Sequence, residues 1–303
     1  MEYFHKPIMV NQVLNYLNIK KDGVYVDATL GGGGHFQEIL NRVGEKGVVI
    51  GIDRDFDAIE NAKKKFGGNR NVILIHDNYK NLKKILKELN IDAIDGILYD
   101  LGVSSYQLDK EDRGFSYRKD APLDMRMDKS QTLTAKDVVN NLSKDELKRI
   151  IYEYGEERFA GRIANFIVER RKIKPIETTF ELVEIIKDAI PAKARRKGPH
   201  PAKRTFQALR IFVNDELVGL EEAFEDAISL LKDGGRMVVI SFHSLEDRIV
   251  KRLFNQFKKE NDLPYKLQVL TPKPVVPDEI ELKENPRARS AKLRAAEKFA
   301  VLK

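Results

Sequence analysis

A chain of 303 residues, 42% apolar and 33% charged, can bury a sizeable core as one large domain or two. It has no cysteine, which excludes disulfides, thiolate nucleophiles and Cys-based zinc sites. No apolar run approaches the roughly 18 residues of a membrane span. The net charge is +7, and residues 106–204 carry 23 Lys and Arg against 17 Asp and Glu, so nearly all the excess lies in one middle segment. A segregated positive field is expected where a polyanion docks. The start, MEYFHKPIMVNQ, lacks the layout of a signal peptide, and a cytoplasmic location is expected.

The first predicted strand is VYVDA (24–28), followed by a glycine loop and a helix over 36–43. VVIGI (48–52), NVILI (71–75) and DGILYD (95–100) are further short apolar strands, with helical spacing over 58–66 and 82–89 between them. This βαβ rhythm predicts a parallel, doubly wound sheet. It stops after Asp100. Residues 106–202 open with a charged loop and contain no convincing strand. Helices are expected from the Ser143 cap, over 158–169 and over 179–189, and the prolines of PAKARRKGPHPAKR bar one continuous helix there. The rhythm then resumes. One long helical region runs through Phe206 and Phe224, followed by strand MVVIS (237–241), a helix over 244–257 and edge strands near 265–270 and 299–302. The expected organisation is a Rossmann-like domain (1–105 and 203–303) carrying an inserted all-helical substrate-recognition domain (106–202).

The loop decides the cofactor. A dinucleotide site needs G-x-G-x-x-G; Gly31 and Gly33 fill the first two positions, but Phe36 stands at the third. A phosphate loop needs Gly-Lys-Ser/Thr, and Gly34-His35-Phe36 is not one. Asp53, ending the second strand, suits ribose hydroxyls because an ionised carboxylate only accepts hydrogen bonds. A nucleoside-like cofactor without pyrophosphate fits best, and S-adenosylmethionine (SAM) is the leading candidate. The other strand ends add Asp27, Asp77 before Tyr79, Asp100, and Ser241-Phe242-His243. Four of five strands thus present an acid where open α/β sheets bind ligands. No spacing of His, Asp and Glu suggests a metal site.

Asp27-x-Thr29-x-Gly31-x-Gly33 with His35 resembles the cofactor loop of class I SAM-dependent methyltransferases. Longer stretches, among them DATLGGGGH, DGILYDLGVSSYQLD, RTFQALRIFVNDEL and GGRMVVISFHSLEDRIVK, resemble the bacterial small-subunit rRNA (cytosine-N4)-methyltransferases, the RsmH or MraW family. The resemblance runs from near residue 5 to the C-terminus. It implies cofactor contacts by Gly33, Gly34, His35, Asp53, Tyr79, Asp100 and Gln107. It also implies methyl transfer to N4 of a cytidine in the decoding region of 16S rRNA. The substrate is then small-subunit rRNA or the assembled small subunit, with no membrane partner; the oligomeric state stays open, a homodimer included.

Methylating an exocyclic amine needs a proton acceptor. Asp100 is the catalytic candidate and His243 a weaker one. Asp100-Leu101-Gly102-Val103 lacks the Pro-Pro-aromatic motif that many amino-methyltransferases place at this strand end. Expected RNA contacts are Arg195, Arg196, Lys197, Lys203, Arg204 and Arg210, with Gln207 and Asn214 on the same helix face. Arg113, Arg118 and the tail arginines Arg287, Arg289 and Arg294 are further candidates.

Overall fold

A computed structural model describes residues 7–104, 107–108, 110–196, 198–259 and 262–301. The chain divides into two compact units, one of Met1–Gly102 with Leu217–Lys303 and the other of Val103–Glu216.

The first unit is built on a seven-stranded sheet. Its strands are β1 (Val24–Asp27), β2 (Val48–Asp53), β3 (Val72–His76), β4 (Ile94–Asp100), β5 (Leu231–Ser241), β6 (Tyr265–Val269) and β7 (Lys292–Ala300). Their order is β3-β2-β1-β4-β5-β7-β6. β1 to β5 pair in parallel, and β7 runs antiparallel between β5 and β6. The central strands are apolar throughout because both faces are covered. Alternate side chains divide between two clusters: Val26, Ile50, Ile97 and Tyr99 in one, Tyr25, Val49 and Leu98 in the other. The strand order reverses at β1, whose neighbours are β2 and β4, so Asp27 and Asp100 end the two strands beside the switch point.

The second unit has its own core, with Leu147, Ile163, Leu182 and Phe206 among its members. Its described residues form no strand, only an isolated bridge between Pro122 and Thr178. Three of its helices start with complete capping boxes, Thr134 with Asp137, Ser143 with Glu146 and Thr178 with Glu181. Helix Thr179–Ala189 has the expected bounds.

Three expectations change. The long helical region is two helices, Lys203–Val213 and Leu220–Leu230, separated by positive φ at Asp215 and Gly219. The first belongs to the second unit, so that unit ends at Glu216 rather than 202. It packs on helix Lys144–Gly155, where a Cβ on Gly155 would lie 2.7 Å from the Arg204 carbonyl oxygen. The last strand spans Lys292–Ala300 instead of starting at 299. Its two buried charges, Arg294 and Lys298, break the apolar pattern yet find hydrogen-bond partners inside. Arg294 meets Asp247, and Lys298 Nζ donates to the carbonyls of Ser229 and Leu231.

Candidate cofactor site

The glycine loop is laced to both neighbouring strands. Ala28 N donates to Leu98 O and Leu30 N to Ile52 O, while the Thr29 hydroxyl accepts from Asp100 N at 2.7 Å. Asp53 holds the loop from β2, with Oδ2 accepting from Gly31 N at 2.7 Å and Oδ1 from Asp55 N at 2.8 Å. Each oxygen keeps a second lone pair for a ligand. Gly33 precedes helix Gly34–Leu40 with φ of 75°, and a Cβ there would lie 2.8 Å from the Phe66 ring. At Gly32 a Cβ would meet nothing within 4 Å, so the loop is open on that side. Phe36, in place of the third dinucleotide glycine, is fully buried against Phe66, ring to ring at 5.0 Å.

His35 sits inside the first turn of that helix, 6% exposed. Its Nε2 lies 2.7 Å from Ile8 O, an atom that only accepts, so Nε2 carries the proton. Burial lowers the imidazole pKa, although Asp27 pulls it upward. Its Nδ1 lies 3.5 Å from Asp100 Oδ2. The other oxygen, Asp100 Oδ1, is buried without a hydrogen-bond partner among the described residues.

Burial dominates the acids. The Asp27 carboxyl is pushed up to about 7 by burial, against the pull of His35. Asp100 also rises to about 7, through burial and the charge of Glu246. Asp53 is raised by burial, against the two N–H groups it accepts. No lysine or arginine pairs with any of the three among the described residues. The site is thus acid-rich, with Lys65 reaching only the Gly32 carbonyl at the loop's edge, which suits a positively charged ligand and opposes a pyrophosphate. Because folding raises these pKa values, the folded state holds protons that the unfolded chain has lost. Stability therefore falls as pH rises from about 4 through about 7. Between about pH 5.5 and about pH 8 the loss should approach 2 kcal/mol per carboxyl. Thermal melts of the cofactor-free protein should show this slope, and Asp27→Asn should flatten part of it; an unchanged slope refutes the assignment.

After β5, Glu246 is 2% exposed. Its Oε2 accepts from Phe242 N at 2.9 Å, and its Oε1 lies 3.2 Å from His243 Nε2. Sequence reasoning passed over Glu246, which reads as an ordinary first-turn helix acid. On the β3 side, half-buried Tyr79 stands edge-on to Tyr99 at 5.4 Å, and Tyr99 meets Phe224 at 4.9 Å. Asp77 is spent on Asn78 N and the Asn81 side chain. Gln107 lies in the second unit, where Ser104 N donates to its Oε1 and its own N–H donates to the Ser104 hydroxyl.

Residues 2–299 match the model of the MraW methylase family. The chain belongs to that family. It is 55% identical to the ribosomal RNA small subunit methyltransferase H of Halothermothrix orenii, over 97% of this chain and 98% of that one. The proteins of the same name from Clostridium botulinum and Clostridioides difficile are 52% and 51% identical, each covering 99% of this chain and all of the relative. A solved rRNA methylase from Streptococcus thermophilus aligns with 98% of each chain at a TM-score of 0.43 and 12% identity. This member of the MraW methylase family is a SAM-dependent methyltransferase with a class I sheet. Its site fits the cofactor's chemistry. SAM carries a sulfonium and an ammonium, and the three acids offer it carboxylates without a Lys or Arg salt bridge; Asp100 Oδ1 has no hydrogen-bond partner among the described residues. No helix among the described residues is long and apolar enough to cross a membrane.

The expected basic track changes more. Arg210 forms a two-pronged pair with Glu216 at 2.8 and 2.9 Å. Asn214 is buried and bonds to Met125 O and Met127 N, and Gln207 donates to Tyr154 O. That helix face is turned into the protein, so Arg210 is withdrawn from the RNA contacts. Arg113 is buried, donating to the carbonyls of Arg126 and Met127, and Arg294 is buried against Asp247. Arg195, Arg196, Lys203, Arg204, Arg287 and Arg289 are exposed, and Lys197 lies outside the described residues.

Proposed function

We propose that the chain transfers the methyl of SAM to N4 of a cytidine in the decoding region of small-subunit rRNA. End-to-end identity above 50% with relatives named for that RNA carries the reading. The basic excess of the middle segment supports a polyanionic substrate.

When bound, the cofactor supplies an electrophilic methyl, and the protein supplies alignment. Gly33, Gly34 and His35 would hold it along the loop, Asp53 through the ribose and Tyr79 beside the adenine; the family resemblance adds Gln107. The target base must be unstacked to reach the methyl. Its N4 lone pair is partly lent to the ring, so the amine needs help losing a proton. Asp100 Oδ1 is the acceptor. Its pKa near 7 makes it a better base than an ordinary carboxylate at neutral pH. His35 Nδ1, 3.5 Å from Asp100 Oδ2, is placed to share the proton that Asp100 acquires. Arg195, Arg196, Lys197, Lys203 and Arg204 would contact the RNA backbone.

The test is mass mapping of modified cytidines in small-subunit rRNA from cells lacking this protein. One N4-methyl mark should disappear and return on complementation. An unchanged map would reject the reading.

A further inference from the structure

The second unit contains a cleft of about 210 Å³ that belongs neither to the sheet nor to the cofactor loop. Its polar walls are Arg158, Arg195, Arg204 and His200, and its apolar walls are Phe159, Ile190 and Ala194. The one acid, Glu157, is 6% exposed and accepts from Phe159 N through Oε1. Several other arginines of this unit pair with carboxylates: Arg126 with Asp124, Arg170 with Asp188 and Arg210 with Glu216. Those of the cleft have no carboxylate partner among the described residues. The Arg158 guanidinium lies over the Phe159 ring at 4.7 Å, and Arg204 donates to Glu156 O. Three arginines thus line one space against a single buried acid, none of them in a salt bridge among the described residues. A shallower groove continues past Pro191 to Lys193.

His200 sharpens the chemistry. It stacks on Tyr117 at 4.6 Å and 14°, and its Nδ1 accepts from Ala202 N. Burial lowers its pKa, and the positive charges of Lys187 and Arg118 lower it further. With Nδ1 accepting, the ring offers its N–H through Nε2.

We propose that this cleft seats a backbone phosphate of the single-stranded RNA substrate, outside the target nucleotide, with the attached nucleoside against Phe159, Ile190 and Ala194. The chemistry on the page favours this over a free base. Guanidiniums recognise phosphate oxygens in pairs, and a ring beside them takes a sugar or base face. The inference rests on the RNA-methyltransferase reading and adds a place on the second unit where the substrate is held.

The test uses full-length protein and a fluorescein-labelled single-stranded oligoribonucleotide, with anisotropy read over a salt series. The Arg158→Gln/Arg195→Gln protein should bind at least tenfold more weakly, with the slope of log K against log salt reduced by about 1. SAM affinity by calorimetry should be unchanged. Arg149→Gln/Arg170→Gln removes the same charge from arginines paired with Glu153 and Asp188 and should cost less than about twofold. Equal losses in both proteins, or wild-type affinity in the cleft variant, overturn the cleft as a site. Wild-type protein that leaves small-subunit rRNA unmethylated rejects the proposed function instead, so the two failures are distinguishable.

Discussion

Methyl transfer by the Asp100→Asn protein is expected to fall by about two orders of magnitude or more, while its affinity for SAM falls by about tenfold at most. Asparagine keeps the size of the side chain and leaves the backbone bond from Asp100 N to the Thr29 hydroxyl in place. It cannot accept a proton. Single-turnover rates against calorimetric SAM affinity separate the two effects. The pH profile adds a second readout. A base must be unprotonated to act, so the wild-type rate should climb with pH up to about 7 and then level; in the variant that limb should vanish. Loss of SAM binding with an unchanged rate on saturated enzyme would reduce Asp100 to a cofactor contact.

Arg294→Met should destabilise the first unit by about 1–3 kcal/mol, because it leaves the buried Asp247 carboxylate with only Lys292, 3.5 Å away. Arg294 Nε lies 2.7 Å from Asp247 Oδ1, with both residues under 10% exposed. Burial alone would raise the Asp247 carboxyl, but the Arg294 guanidinium, with Lys292 behind it, overrides this and holds the pKa below the usual range. Removing both charges in Arg294→Met/Asp247→Leu should recover most of the loss. RNA affinity, measured where the single variant is still folded, should not change. A variant that melts like wild type but binds RNA weakly would return Arg294 to the RNA contacts.

The four parallel strands before the insert were legible because continuous apolar runs of that length have few alternatives in a covered sheet. The acids at their ends were legible for the same reason, since a strand's carboxyl end is marked by where its run stops. What joins them was not. Asp53 reaching Gly31 and Thr29 reaching Asp100 are pairings across 22 and 71 positions, and no local pattern encodes them. The same blindness misread Arg210 and Asn214. Spaced four apart on an amphipathic helix, they look like an open polar face. Only their partners, Glu216 in one case and backbone 87 and 89 positions away in the other, turn that face inward. Lys298 hid the last strand in the same way, its charge absorbed by two carbonyls and the Tyr265 ring.

The division of the chain also bears on the order in which it folds. β4 and β5 are hydrogen-bonded neighbours, yet Val103–Glu216 intervenes between them. Closing a disordered loop of that length costs entropy before any strand contact returns it. A second unit with its own core can condense first and shorten the effective loop to its two junctions. Pairing of the two strands beside Asp100 is then the late step, and a variant that slows condensation of the helical unit would delay formation of the methyl-donor site without touching a residue of it.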